Sequence, residues 1–210
     1  MNRPRRVAFL GGSFDPVHEG HLAIARAALR EARLGRVFLV PAATPPHKID
    51  RRLAVARDRL AMVRLAVRGE PRIGVLDLEI RKGGVSYTVE TVERMRRRLG
   101  KAARLFWIIG ADTLPELPTW KDAPRLYDLV EFLVAPRPGF APRTPPGVRA
   151  IRLRAPRRRA SSTAVREALR AGRTDVPAVP PGVLDYIRRR GLYGAKTLTD
   201  RRSHGENPGR

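Results

Sequence analysis

The chain divides into short apolar stretches and longer stretches in which apolar residues recur every three or four positions. The apolar stretches lie at 7–10, 36–41, 105–109 and 129–134. Short apolar runs bounded by turn residues are typical of buried strands, whereas the longer spacing is typical of amphipathic helices. Because the two patterns alternate, the sequence predicts an α/β fold, a doubly wound parallel sheet with helices on both faces.

The helical spacing predicts the elements that connect these strands. Helices are expected at 18–33, 53–67, 86–95, 160–170 and 180–190. Residues 73–75 and 76–80 are strand-like, the second by alternation, and 150–153 predicts a short edge strand. Ser86 is expected to cap the third helix.

Length and composition are those of a domain with a sizeable core. The chain has 210 residues, of which 42% are hydrophobic. We expect one domain over 1–194, ending in a small helical part, and a disordered basic tail over 195–210. No apolar run reaches the ~18–20 residues of a membrane-spanning helix, and the basic start lacks the apolar region of a signal peptide. There is no cysteine, which excludes disulfides and thiolate chemistry and is typical of a cytoplasmic protein.

The net charge of +23 comes mainly from arginine. Between residues 132 and 174 there are eleven arginines and one acidic residue, Glu167. One interpretation is a polyanionic partner, either nucleic acid or a nucleotide with several phosphates. The other is a compositional bias that replaces surface lysines with arginines. Nucleic-acid binding stays open as a second hypothesis, although no basic stretch interleaves with aromatic residues as in single-strand binders.

Residues 7–22 combine a strand, a glycine pair, a polar turn and a helix start. Gly11 and Gly12 lack Cβ atoms and so allow a phosphate to approach the backbone closely. Asp15-Pro16 predicts a turn, and helical spacing begins near His18. Because a helix start presents free N–H groups and a partial positive charge, it suits an anion.

His18 and His21 lie three residues apart, on one face of the first helical turn. In that place they can donate hydrogen bonds to phosphoryl oxygens. The zinc-protease pattern HExxH needs a spacing of four, and with no cysteine and two other histidines the chain offers little to complete a zinc site. The pair can also be ordinary surface residues of a helix. The order of strand, glycine turn and helix favours the phosphate interpretation.

Three loops follow predicted strands and are expected at the ligand-binding carboxyl edge of the sheet, at 11–21, 41–50 and 110–114. Lys48, in the second loop, can neutralise phosphate as a point charge or be an ordinary solvated lysine. Asp112, in the third, can accept hydrogen bonds from a ribose hydroxyl or cap the next helix. Trp120 is either a core residue or a flat surface for ring stacking.

A second helix start follows the basic run 154–159. Ser161, Ser162 and Thr163 place hydroxyl groups in the cap region, and Arg166 lies on the first turns. The same physics makes this a second anion site. A capped helix behind a solvated basic loop is the ordinary alternative.

Several motifs together resemble a known family. Residues 11–22, GGSFDPVHEGHL, resemble the nucleotidyltransferase superfamily that carries the HxGH motif. Further segments narrow the resemblance to bacterial nicotinate-mononucleotide adenylyltransferases: PPHK at 45–48, SYTVET at 86–91, GADxxxxLxxW at 110–120 and SSTAVR at 161–166. The resemblance runs from residue 7 to 194, with one departure at Ala160, where the family usually has isoleucine.

The resemblance implies a Rossmann-like fold and transfer of the adenylyl group of ATP to nicotinate mononucleotide, giving nicotinate adenine dinucleotide and pyrophosphate in NAD biosynthesis. It implies Mg²⁺ bound through the ATP phosphates and no metal site of the protein's own. The catalytic residues that it implies are His18, His21, Lys48 and Arg166. Those implied for ATP are Gly11, Gly12, Ser13, Phe14, His18, His21, Gly110, Asp112, Ser162, Thr163 and Arg166. Those implied for the mononucleotide are Ser13, Lys48, Thr88, Trp120 and Arg137.

A sister family, which adenylylates pantetheine phosphate, is the nearest alternative. It usually has threonine at the first HxGH position, where this chain has His18, and it lacks the segment that matches 110–120. Backbone N–H groups near Thr88 and Trp120 are expected to favour nicotinate over nicotinamide mononucleotide. No membrane partner is predicted, and the sequence leaves the oligomeric state open.

Overall fold

The computed structural model describes residues 5–45, 53–154 and 160–195. Within them, six strands form one parallel sheet in the order β3-β2-β1-β4-β5-β6. The strands are β1 (Arg6–Gly12), β2 (Arg36–Pro41), β3 (Ile73–Val75), β4 (Arg104–Gly110), β5 (Glu131–Ala135) and β6 (Ala150–Arg152). Since the strand order reverses at β1, a ligand is expected beyond the carboxyl ends of β1 and its neighbours.

Seven α-helices accompany these strands in the described part of the chain. They are α1 (Glu19–Glu31), α2 (Ala56–Ala66), α3 (Leu78–Lys82), α4 (Thr88–Leu99), α5 (Ala123–Leu129), α6 (Ser162–Arg170) and α7 (Pro181–Arg189). Two 3₁₀ helices span Leu114–Thr119 and Leu192–Gly194. Of the helices described, none combines the length and apolar character that crossing a membrane requires.

Helices cover both faces of the sheet because alternate strand residues point to opposite sides. Val7 and Phe9 of β1 belong to a core cluster with α4 and α5. Ala8 and Leu10 belong to the other cluster, with α1, α2, α6 and α7. The doubly wound α/β fold is confirmed, and the helices near the carboxyl end complete one of its two layers.

The strand predicted at 76–80 is wrong. Only Leu76 continues the sheet edge, donating its N–H to Leu39 O at 2.9 Å, and the chain then turns into α3. A strand would place Leu78 and Glu79 on opposite faces, whereas both are buried. The helical turn lets the Glu79 carboxylate accept a hydrogen bond from Thr91 Oγ1 at 2.7 Å.

Two further local predictions are overturned by tertiary contacts. Ser86 does not cap α4, whose N-cap is Tyr87, because Ser86 Oγ accepts a hydrogen bond from the Ala43 N–H at 3.1 Å. Leu129 does not begin a strand but ends α5, so that β5 begins at Glu131. The other predicted helices and strands are present, with ends shifted by a few residues.

Candidate active site

A cavity of about 370 Å³ lies at the carboxyl edge of the sheet. Its wall includes five residues that the sequence predicts as ligand-binding, namely Gly11, Gly12, Ser13, Thr88 and Trp120. They come from the end of β1, the start of α4 and the segment after β4. The fold therefore joins three distant parts of the chain around one space.

Both glycines of the pair lie close to aromatic rings, and the packing is tightest at Gly11. A Cβ atom at Gly11 would lie 2.6 Å from Cζ2 of Trp107, which is closer than any real contact. A Cβ atom at Gly12 would lie 3.3 Å from Cζ of Phe14. Both glycines line the cavity, but aromatic rings already occupy the space that side chains would need.

Phe14 is a buried residue that packs against His21. Its side chain is buried, and its ring meets the His21 ring edge-on, with centroids 4.9 Å apart. Its φ of 48° lies in the left-handed region, which side chains rarely adopt. The turn predicted at Asp15-Pro16 follows, with a cis peptide bond.

The two histidines stack at the start of α1. His18 is the N-cap residue, and its ring lies parallel to that of His21 with centroids 3.7 Å apart. The His18 N–H donates to His21 Nδ1 at 3.1 Å. Because Nδ1 of His21 accepts this bond, the hydrogen of its neutral ring is on Nε2. The backbone thus determines which nitrogen of His21 acts as a donor.

His18 is held in its neutral form at physiological pH. Its side chain is only 7% exposed. Burial, and to a smaller extent the positive charge of Arg137, lowers the pKa of His18 to about 4. His18 therefore presents a neutral ring to His21, so the stack does not bring two positive charges into contact.

The start of α6 lies directly against the loop that precedes α1. Ser162 Oγ donates to Pro16 O at 3.0 Å, and the Arg166 guanidinium donates to Asp15 O at 2.7 Å and to Thr163 Oγ1 at 3.2 Å. Ser161 is the N-cap, with its Oγ accepting from the Ala164 N–H at 3.1 Å. The two helix starts, far apart in sequence, are therefore neighbours.

Asp15 ties this junction together although it does not face the cavity. Its side chain is 2% exposed, and its Oδ1 accepts hydrogen bonds from Tyr193 Oη at 2.7 Å and from the Ala54 N–H at 3.0 Å. From the sequence alone, Asp15 is predicted only to form a turn with Pro16. Its partners lie 39 and 178 positions away, so no local signal reveals them.

Asp112 and Arg137 form an ion pair beyond β4 and β5, with Nε and Oδ2 3.1 Å apart. The Asp112 carboxylate folds back over Gly110, where a Cβ atom would lie 2.3 Å from Oδ1. The helix-cap alternative for Asp112 is wrong, since the following 3₁₀ helix has Thr113 as its N-cap. Neither member of the pair lines the cavity.

Trp120 and Thr88 do line it. Trp120 also packs against the core cluster of α4 and α5, as the core interpretation expects, while ring stacking stays a prediction. Thr88 is the first residue of α4, and the first N–H groups of a helix have no acceptor within it. A ring and a set of donors thus share the same cavity wall.

Comparisons with known proteins show the family of the chain. The cytidylyltransferase-like family model matches residues 9–168. Probable nicotinate-nucleotide adenylyltransferases of Geobacillus kaustophilus and Opitutus terrae are 39% and 40% identical, covering 93% and 90% of this chain and 90% and 97% of their own. The chain belongs to the nicotinate-nucleotide adenylyltransferase family. The resemblance inferred from the motifs is confirmed.

Solved structures of other adenylyltransferases have the same fold as this chain. Nicotinic acid mononucleotide adenylyltransferase of Plasmodium falciparum, complexed with NaAD, superposes with a TM-score of 0.75 at 18% identity, covering 90% of this chain and 98% of its own. The same protein complexed with APC gives a TM-score of 0.73 at 17% identity, with the same coverage.

Several residues of the site carry no signal that the sequence analysis recognises. Glu79 and Ser86 line the cavity; burial raises the pKa of Glu79, against the effect of its hydrogen bonds with Thr91 and Ser86. Lys121 also lines the cavity, 2.8 Å from a carboxylate oxygen of Glu90. Other predictions, on Lys48, on most of the run 154–159 and on the tail beyond Ala195, lie outside the described residues.

Proposed function

We propose that this chain transfers the adenylyl group of ATP to nicotinate mononucleotide, forming nicotinate adenine dinucleotide and pyrophosphate. The observation that supports it most is the junction of two helix starts. Its histidines and Arg166 do not line the cavity, but the junction adjoins the loop whose Ser13 does. One start carries the stacked His18 and His21. The other carries Arg166, whose guanidinium donates a hydrogen bond to Asp15 O in the loop that precedes α1. The curated relatives named for this activity support the same conclusion.

The reaction needs positioning and charge stabilisation more than a base. The 5′-phosphate of the mononucleotide is already an anion, and its oxygen bonds to the α-phosphorus of ATP while the bond to the β-phosphate breaks. Pyrophosphate leaves with the electron pair of that bond. Rate enhancement then comes from holding the reactants in line and from donors aimed at the developing charge.

His18 and His21 supply such donors to the α-phosphate. The neutral state of His18 means that it binds through a hydrogen bond, and the acceptor role of His21 Nδ1 aims its Nε2–H away from the backbone. Arg166, Ser162 and Thr163 are proposed to hold the departing phosphates at the start of α6. Lys48 is proposed for the same task.

The cavity accommodates the mononucleotide in this proposal. The Trp120 ring stacks on the pyridine ring, and the N–H groups at Thr88 bind its carboxylate, since a helix start favours an anion. Ser13 and Arg137 complete the mononucleotide site. Gly11, Gly12 and Phe14 shape the adenylyl side, and Gly110 with Asp112 receives the ribose.

Mg²⁺ is proposed to arrive on the ATP phosphates. In the described ranges no group of three histidine, aspartate or glutamate side chains could hold a metal ion. Asp15, three residues before His18, is buried in hydrogen bonds with Tyr193 and Ala54. The lack of such a cluster among the described residues fits a Mg²⁺ ion that keeps several waters and binds through the phosphate oxygens of ATP. When bound, the ion neutralises phosphate charge.

The test is pyrophosphate release from ATP and Mg²⁺ with one of three acceptors. Nicotinate mononucleotide should give rapid release, nicotinamide mononucleotide slower release, and pantetheine phosphate none. Identification of nicotinate adenine dinucleotide as the product completes the test. Preference for either of the other acceptors would overturn the proposal. We propose a cytoplasmic location, where these substrates are present.

A further inference from the structure

Arg59 is a buried arginine that the proposed chemistry does not use. It lies on α2, and only 1% of it is exposed. Its guanidinium donates four hydrogen bonds, all to backbone carbonyls: to Ala54 O at 2.9 Å, Ser13 O at 2.8 Å, Ala42 O at 2.7 Å and Ala43 O at 2.7 Å. Four of its five N–H groups are therefore directed at main-chain atoms.

The acceptors come from the two loops that frame the cavity. Ser13 follows β1, while Ala42 and Ala43 follow β2, and both Ser13 and Ala42 line the cavity. The second loop is held from its other side as well, because Ala43 N–H donates to Ser86 Oγ at 3.1 Å and Thr44 N–H donates to Gly84 O at 3.2 Å. Arg59 thus links the first loop to a second loop that is already anchored, and it does so beyond the last backbone bond between them, from the Ala42 N–H to Gly12 O at 3.0 Å.

Burying this charge is costly, which argues for a role beyond stability. Burial lowers the pKa of Arg59, while the negative charge of Asp15 opposes that change. A buried ion pair can often be replaced as a whole by apolar side chains with no loss of stability, whereas loss of Arg59 alone leaves four carbonyl oxygens without this donor. Four hydrogen bonds in fixed directions cannot be reproduced by an apolar side chain or by lysine.

We propose that Arg59 is a positioning residue that sets the distance between the loop after β1 and the loop after β2, and thereby the width of the mononucleotide cavity. The role rests on the proposed adenylyl transfer. It predicts that loss of Arg59 weakens mononucleotide binding more than ATP binding, because the displaced carbonyls belong to the cavity wall.

The test compares Arg59→Met and Arg59→Lys with a matched control, Arg96→Met. Arg96 also donates to backbone carbonyls, including Ala103 O at 2.5 Å and Leu129 O at 2.9 Å, but at the opposite edge of the sheet. All variants are measured at a temperature at which circular dichroism shows them folded. The chain's two tryptophans, Trp107 and Trp120, both line the cavity, so fluorescence quenching by nicotinate mononucleotide reports its affinity without turnover.

Arg59→Met should raise the mononucleotide Kd and KM by about tenfold or more and lower kcat, while the KM for ATP changes by less than about threefold. Arg59→Lys should fall between it and the wild type, and Arg96→Met should change only Tm. Wild-type Kd and kcat in folded Arg59→Met would overturn the proposal, as would failure of both Arg59 variants to fold, which would assign Arg59 to the fold alone. A wild type that neither binds the mononucleotide nor releases pyrophosphate would refute the proposed function itself, and this role with it.

Discussion

Replacing Gly11 with alanine tests whether packing or phosphate access requires a glycine there. The new Cβ atom would lie 2.6 Å from Cζ2 of Trp107 and 3.3 Å from its Cη2, whereas carbon atoms in contact lie ~3.5–4.0 Å apart. Trp107 is 3% exposed, and its ring packs against Phe9 with centroids 6.2 Å apart. The indole must therefore move by about 1 Å within a close-packed core.

The cost follows from the strain of an overfilled core. An extra methyl group in a packed interior costs about 1–3 kcal/mol. In a chain of this size each 1 kcal/mol lowers Tm by about 2–4 °C, so we expect Gly11→Ala to lower Tm by about 2–12 °C. Because Trp107 and Gly11 both line the cavity, the same displacement should weaken mononucleotide binding.

Thermal unfolding and fluorescence quenching by nicotinate mononucleotide measure the two effects. Gly182→Ala is the control, because a Cβ atom at Gly182 in α7 meets nothing within 4 Å. Alanine should leave Tm there unchanged or raise it, as helix propensity favours alanine by ~1 kcal/mol. Wild-type Tm and affinity in Gly11→Ala would refute the packing argument. Loss of ATP binding with no change in Tm would instead support close approach of a phosphate.

The remaining predictions concern the histidine pair and Asp15. Alanine at His18 or His21 should lower kcat by about 10²–10³-fold, the effect of one lost oxyanion donor; near-normal pyrophosphate release would exclude that histidine from the chemistry. The pKa of His18 is about 4 in the folded state and ~6.5 in the unfolded state. Between these pH values the unfolded state binds more protons, so the free energy of unfolding falls as the pH decreases, by at most about 3 kcal/mol. Urea unfolding should show a smaller decrease in His18→Asn, and an equal one would contradict this assignment. Tyr193→Phe removes the 2.7 Å bond to the buried Asp15 carboxylate and should lower the free energy of unfolding by about 1–3 kcal/mol, whereas a change under ~0.5 kcal/mol would show that the bond does not stabilise the fold.

Part of the arginine excess has a structural use. Arg59 and Arg96 bind backbone carbonyls of distant segments, as do Arg6, through Ala32 O at 3.1 Å, and Arg152, through Pro142 O at 2.5 Å. A planar guanidinium can satisfy several carbonyls at once, which lysine cannot. For these four arginines the structure shows a use other than contact with a polyanion. Nucleic-acid binding remains a hypothesis whose test is a steep salt dependence of binding to duplex DNA or RNA.

Features that depend on neighbours in the chain can be predicted from the amino-acid sequence. Alternating apolar runs and helical spacing decide which segments become strands and helices, and a strand order built from such units puts 11–21 and 110–114 at one edge of the sheet. His18 and His21 share a helical turn because they are three residues apart. Contiguous motifs such as residues 11–22 and 110–120 are sufficient to indicate the family.

The pairing of buried polar groups, by contrast, depends on how the chain folds in three dimensions. Glu79 lies in a helix, where its carboxylate accepts a hydrogen bond from Thr91. Ser86 does not cap α4, because its hydroxyl accepts a hydrogen bond from the Ala43 N–H instead. Arg59 reaches Ser13 across 46 positions, and Tyr193 reaches Asp15 across 178. A buried polar group is stable only when a partner is present in space. Contacts between residues that are far apart in sequence produce no periodic pattern, so these residues can be identified only from the folded structure.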